Sequence, residues 1–289
     1  MNENIAHIIQ ANSKDLGDGF FVRRSLPYRR QRLVGPFIFW DHMGPASIGP
    51  NKEMVVRSHP HIGISTITYL FSGEILHRDS LGNELFIRPN EVNWMTAGKG
   101  ITHSERCQPE SEMTLEGIQL WVALPKEHED VDPNFSHFKE KDLPMIEKEG
   151  VQLRLIAGEA MGEKSPVPVF SKLFYLNGKG QSGASFKMDV TSEKQSAVYC
   201  VRGSIDLYGE TLEPTTMGIL KQGSSIEMTC SEETEFMILG GDVFPEERTI
   251  WWNFVSHDQA KIDAAKEMWQ KEEFPKTIKE TARIPLPEN

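Results

Sequence analysis

His59-Pro60-His61-Ile62-Gly63-Ile64-Ser65-Thr66-Ile67-Thr68-Tyr69-Leu70 reads as a strand from its third residue onward. Ile62, Ile64, Thr66, Thr68 and Leu70 alternate with Gly63, Ser65, Ile67 and Tyr69, and β-branched residues dominate. The head of the stretch carries chemistry. In extended chain, residues two apart share a face about 6–7 Å from one another, so His59 and His61 present both imidazoles to one side. His103-Ser104-Glu105, whose histidine lies 42 positions after His61, does the same for an imidazole and a carboxylate. If the two strands lie side by side, four ligand groups converge. Three neutral nitrogens and one carboxylate suit Fe(II), Mn, Co, Ni, Cu or Zn rather than Mg or Ca. The competing reading is a pair of partly exposed surface histidines. Four of the nine histidines fall between 59 and 103, and the second motif matches the first in form, so the metal reading is preferred.

Outward from this stretch the chain alternates short strands and turns. Val34–Pro45 is apolar at its centre and bracketed by Gly-Pro pairs, which mark turns. Ser72-Gly73, Leu81-Gly82-Asn83, Pro89-Asn90-Glu91 and Ala97–Gly100 are further turns. Val92–Met95 and Gly117–Leu124 are apolar strands. Short strands at regular spacing argue for an antiparallel sandwich or barrel. Residues 125–150 hold Pro125, Pro133 and Pro144 among acidic residues and read as a surface linker. A second β-rich block follows from Val151 to about Val243. Its Tyr199-Cys200-Val201-Arg202-Gly203-Ser204-Ile205 echoes Tyr69-Leu70-Phe71-Ser72-Gly73-Glu74-Ile75, which suggests a duplicated unit. No histidine occurs between Gln152 and Val255, so only the first copy can carry a site of this type. Ser256 and Gln259 have capping-box spacing, and Ile262, Ala265, Met268 and Trp269 share the face of a closing helix that Pro275 stops. Residues 1–18 read as an edge strand or arm.

Bulk properties narrow the function classes. A chain of 289 residues builds one large or two medium domains. The net charge of −11 disfavours direct nucleic-acid binding. No apolar run is long enough to cross a membrane, and no signal peptide is visible. Three cysteines form no disulfide framework and fit a cytoplasmic setting. Five arginines lie between Arg23 and Arg32. They form either a docking surface or, as such runs usually do, a solvated face paired with local acids.

Several motifs in order resemble one family: His59-Pro60-His61, Thr68-Tyr69-Leu70, Asp79–Asn83, Trp94-Met95-Thr96-Ala97-Gly98-Lys99-Gly100-Ile101-Thr102-His103-Ser104-Glu105 and Gln119–Pro125. They are similar to the pirins, which are bicupins. The resemblance implies an all-β chain of two β-sandwich (cupin, jelly-roll) domains plus the helix. The expected division is a metal-binding cupin over 1–130, a linker over 131–150, and a metal-free cupin with the helix over 151–289. By position, the family's ligands fall on His59, His61, His103 and Glu105. Similarity to bacterial pirins implies a quercetin 2,3-dioxygenase-like activity. Its partners would be a flavonol-like molecule and O2, with Fe(II) the preferred ion and Glu105 as catalytic base. The alternative is a redox-sensitive regulatory protein that acts through protein partners. Phe39, Trp94 and Met95 are candidates for a pocket wall. His42 and His77 read either as donors to the ligand residues or as plain turn residues, the plain reading being preferred, and Cys107 either as a sensor of oxidation near the metal or, preferred, as a buried, inert thiol. Pirins often carry Arg-Gly-Phe-Glu after the H-x-H. Here Ile62-Gly63-Ile64-Ser65 stands in its place, which removes an acidic residue beside the site.

Overall fold

The computed structural model describes residues 2–15 and 20–287. The chain forms two compact units, and each is a pair of stacked antiparallel sheets. One unit comprises Met1–Lys14, Arg23–Asp41 and Lys141–Phe244; the other comprises Asp15–Val22, His42–Glu140 and Pro245–Asn289.

In the first, the eight-stranded sheet starts at the edge strand Ile5–Gln10 and continues through Thr216–Leu220, Lys194–Arg202, Thr234–Asp242, Leu173–Gly180 and Val151–Ala160. A four-stranded sheet stacks on it through Phe186, Ile205, Leu207 and Ile226, which pack with Leu153, Leu176, Val198 and Ile238.

The second unit carries the candidate ligands, on strands labelled here in chain order. They are β1 (Met54–His61), β2 (Ile64–Ser72), β3 (Ile75–Asp79), β4 (Glu84–Ile87), β5 (Val92–Thr96), β6 (Ile101–Cys107), β7 (Met113–Ala123) and β8 (Asn134–Phe138). One sheet has the order β1–β6–β3–β4. The other runs from its edge through β8, β5, β2 and β7 to Phe37–Ile48. Met54, Ile75, Ile87 and Cys107 of the smaller sheet pack against Leu70 and Leu115 of the larger.

The two-cupin expectation holds, and the echo between the halves is structural. Gly73 and Gly203 both turn the chain at positive φ, +81° and +80°. Glycine is required at both. A Cβ there would lie 2.8 Å from the Thr114 carbonyl oxygen and 2.5 Å from that of Glu233.

The two contact units do not follow the chain consecutively. Ile5–Gln10 pairs with Thr216–Leu220, and everything after Phe244 groups with the ligand-bearing strands. The stretch expected as a linker supplies two edge strands instead. β8 pairs with β5, and Met145–Lys148 pairs with Val151–Arg154. Prolines 133 and 144 precede these strands rather than interrupt them. The closing helix α1 (Gln259–Gln270) buries Ile262, Ala265 and Trp269 as the periodicity predicts. Its cap differs. Asp258 accepts from the Ala260 amide at 2.9 Å, while Ser256 donates to the buried Glu129 at 2.6 Å.

Candidate metal centre

β6 is the middle strand of the site. His103 lies opposite His59 of β1 on one side and opposite Asp79 of β3 on the other, and Ile101 faces His61. Alternation sends His59, His61 and His103 to one face of the sheet. All three are buried. One nitrogen from each lies within 4.8 Å of the others, the one such histidine cluster among the described residues. His61 Nε2 and His103 Nε2 are 3.1 Å apart. Two nitrogens bound at about 2.0–2.1 Å to one ion lie about 2.9 Å apart at right angles and about 3.4 Å apart at the tetrahedral angle. The observed spacing falls between these limits.

The electrostatics fit a cation. Burial lowers the His59 pKa to about 4 and takes His61 and His103 well below the ordinary imidazole range. All three rings are therefore neutral at pH 7, the state that binds metals. His59 Nδ1 is held by the Arg57 carbonyl at 2.8 Å, which leaves Nε2 for the cluster. His103 Nδ1 is buried without a hydrogen-bond partner.

Glu105 is also buried, and burial raises its pKa. A neighbouring cation would oppose that shift. The carboxylate stands outside the three-histidine cluster. The register slips between His103 and Glu105, so that His103 faces His59 whereas Glu105 faces Val56. A bulge of this kind re-aims the side chain that follows it. Thr68 Oγ1 lies 3.2 Å from Glu105 Oε1 and 2.7 Å from Gln119 Oε1. The hydroxyl has one proton, so it donates to Glu105 when the Gln119 amide turns its NH2 group inward.

His77 is not a turn residue. It sits in β3 opposite Glu105, with its ring 5.4 Å from that of His103 and stacked on Phe135 at 4.5 Å. Its Nε2 pairs with Asp79 Oδ2 at 3.1 Å. Asp79 also accepts from the Leu81 and Asn83 amides and from Asn83 Nδ2. The period-2 set Ile75, His77, Asp79 was the available signal, one strand removed from the H-x-H. His42 is likewise buried in a strand, 3.3 Å from Glu116. Trp121 presents an edge to His61 at 5.3 Å. Trp94, Met95 and Phe39 are all buried, and Phe39 lies under the Arg24 guanidinium.

The pirin family model matches residues 19–122, and the model of the pirin C-terminal cupin domain matches residues 175–275. A pirin-like protein of Caulobacter vibrioides is 46% identical over 91% of this chain and 92% of its own length. The chain belongs to the pirin family. Among solved structures, quercetin 2,3-dioxygenase from Acinetobacter baumannii superposes with a TM-score of 0.92 at 31% identity, covering 98% of this chain and 95% of that one. The pirin YhhW of Escherichia coli, solved with nickel(II), shares the fold with a TM-score of 0.66 at 16% identity, over 82% of this chain and all of its own.

The departure from the usual pirin sequence after the H-x-H has a local structural counterpart. Ser65, where many pirins place an acid, is buried with its hydroxyl 3.0 Å from that of Thr96. Cys107 is a buried thiol with its pKa pushed up to about 11 by desolvation, 3.9 Å from Met113 Sδ. A thiol so protonated is unreactive at neutral pH. Of the arginine run, Arg24 forms a bidentate pair with Asp41, while Arg29, Arg30 and Arg32 are exposed.

Proposed function

We infer that this pirin-family protein is an oxygenase of quercetin 2,3-dioxygenase type, built on a metal held by His59, His61, His103 and Glu105. The observation that carries the reading is the convergence of three neutral, buried imidazoles, two of them with Nε2 atoms 3.1 Å apart. The resemblance to the Acinetobacter baumannii dioxygenase, 31% identical over nearly the whole chain, supports the reaction class. An Fe(II) or related ion bound there would supply Lewis-acid and redox chemistry for a flavonol and O2.

The protein's own residues do the rest. The imidazoles leave the charge of an ion uncompensated except by Glu105. Burial makes Glu105 a stronger base than a solvated carboxylate, suited to taking the proton of a substrate hydroxyl. The Thr68 hydroxyl steadies its oxygen. His77, fixed by Asp79 and Phe135, lines the same face. The unpaired, buried state of Cys107, Cys200 and Cys230 supports a reducing, cytoplasmic setting.

The test is anaerobic reconstitution with Fe(II), Mn, Co, Ni or Cu, followed by admission of air and assay of flavonol loss and carbon monoxide. Turnover with at least one metal, abolished in His103→Ala, is expected. No turnover with any metal overturns the enzymatic reading. A second reading, a regulatory protein with an acidic partner, is favoured by the exposed Arg29, Arg30 and Arg32, which form no ion pair among the described residues. Loss of captured partners on reversal of these three to Glu supports it, and unchanged capture removes it.

A further inference from the structure

The strands that carry the imidazoles are held from behind by the end of the chain. On β1, β6 and β3 the residues pointing inward are His59, His61, His103, Glu105 and His77. The alternate residues point outward, and residues 275–284 bind them. Ser58, between the ligand positions of β1 and Arg57, is hydrogen-bonded to Thr277 at 2.8 Å, and its carbonyl accepts from the Ile284 amide at 2.8 Å. Thr277 donates to Thr102 at 2.9 Å, and Thr102 donates in turn to the Pro275 carbonyl at 2.6 Å. The Ile278 amide donates to the carbonyl of Asp79, on β3.

Glu280 fastens the strap. Its side chain is 3% exposed although charged. It accepts from Ser104, the residue between His103 and Glu105, at 3.0 Å, from Arg106 Nε at 2.8 Å and from Arg78 at 3.4 Å. Ser104 and Arg106 flank Glu105 on β6, and Arg78 lies between His77 and Asp79 on β3. One carboxylate thus ties β6, which bears His103 and Glu105, to its neighbour β3 at the residues adjoining the site.

A separate stretch, Phe254-Val255, closes the end of β1. Phe254 bridges in parallel to Ile62, and the Val255 amide donates to the Ile62 carbonyl at 3.3 Å.

We propose that the C-terminal strap, through Glu280 and Thr277, is a positioning device for the metal centre. It sets the spacing of the ligand strands from their outer face. This rests on the metal reading above, and the experiment separates the two. Co(II) is titrated into metal-free full-length wild type, Glu280→Gln, Thr277→Val and Lys279→Ala, with affinity and visible d–d spectrum recorded beside thermal unfolding. Lys279 pairs with Glu84 at the exposed edge of the same strap and serves as the control.

Glu280→Gln and Thr277→Val are expected to unfold cooperatively, to bind Co(II) at least about tenfold more weakly and to show shifted bands at saturation, with Lys279→Ala unchanged. A folded Glu280→Gln with wild-type affinity and spectrum overturns the proposal. If Glu280→Gln does not fold, Thr277→Val decides by the same criteria. Failure of both to fold overturns it in favour of a purely structural tail. A wild type that takes up no Co(II) overturns the metal reading and this proposal with it, whereas normal wild-type binding with normal variants overturns the strap alone.

Discussion

Buried His59 accepts a proton only near pH 4, whereas the same side chain in the unfolded protein accepts one near 6.5. Between those values the unfolded chain holds more protons, so unfolding becomes easier as the pH falls. The His59 shift alone amounts to about 3 kcal/mol, and His61 and His103 act in the same direction. The metal-free protein should therefore lose stability steadily from pH 6.5 to 4, seen as a falling urea midpoint, while a metal-loaded sample changes less. A flat profile across that window in the metal-free protein would contradict neutral, buried imidazoles. Thr68→Val removes the donor to Glu105 at nearly constant volume. It should lower flavonol turnover about tenfold or more while thermal unfolding shifts little. The clustering of the three histidines is legible in the sequence, because i, i+2 spacing on a strand and a second motif of the same form need nothing else. The register slip between His103 and Glu105 is not legible, because a bulge depends on how β6 pairs with β1. His77 was hidden for a similar reason: only the pairing of β3 with β6 brings it to Glu105.

Elements are legible where one face repeats. The alternation of Ile62–Leu70 became β2, and the 3.6-residue stripe of Ile262, Ala265 and Trp269 became α1. Short polar edge strands are not legible, since β8 and Met145–Lys148 lack an apolar face and gain their order from a neighbour's free edge. Gly63 joins β1 to β2 and shows what that junction demands. It has φ +69°, and a Cβ would meet the Val255 carbonyl oxygen at 1.9 Å. Gly82, in the exposed turn between β3 and β4, has φ +93° and nothing within 4 Å of the same position. Gly82→Ala should cost only the backbone strain, about 1 kcal/mol. Gly63→Ala adds displacement of the returning strand and should cost about 3 kcal/mol or more. Equal melting temperatures for the two variants would refute a fixed contact between the β1–β2 junction and residue 255.

At the scale of the molecule, a duplicated β chain was visible in the echo around Gly73 and Gly203, but not the return of the final 45 residues to the ligand-bearing strands. Nothing local announces that return, because the groups that fix it lie more than a hundred positions apart. Glu129, in the stretch that reads as linker, is buried and accepts from Ser256 Oγ at 2.6 Å, from the His257 amide at 3.0 Å and from His257 Nδ1 at 2.8 Å. Arg248 is buried beside it at 3.3 Å and donates to the Leu124 carbonyl at 3.1 Å. Removing one charge of such a pair strands the other without solvent, whereas removing both need not be costly. Glu129→Gln should therefore destabilise the protein by about 3–5 kcal/mol, and Glu129→Gln with Arg248→Met should recover part of that loss. Denaturant unfolding of the two single variants and the double variant measures the coupling directly. Additive losses would mean that the pair does not hold residues 245–257 in place, and that the apolar packing of Phe254, Trp269 and Phe274 carries the return by itself.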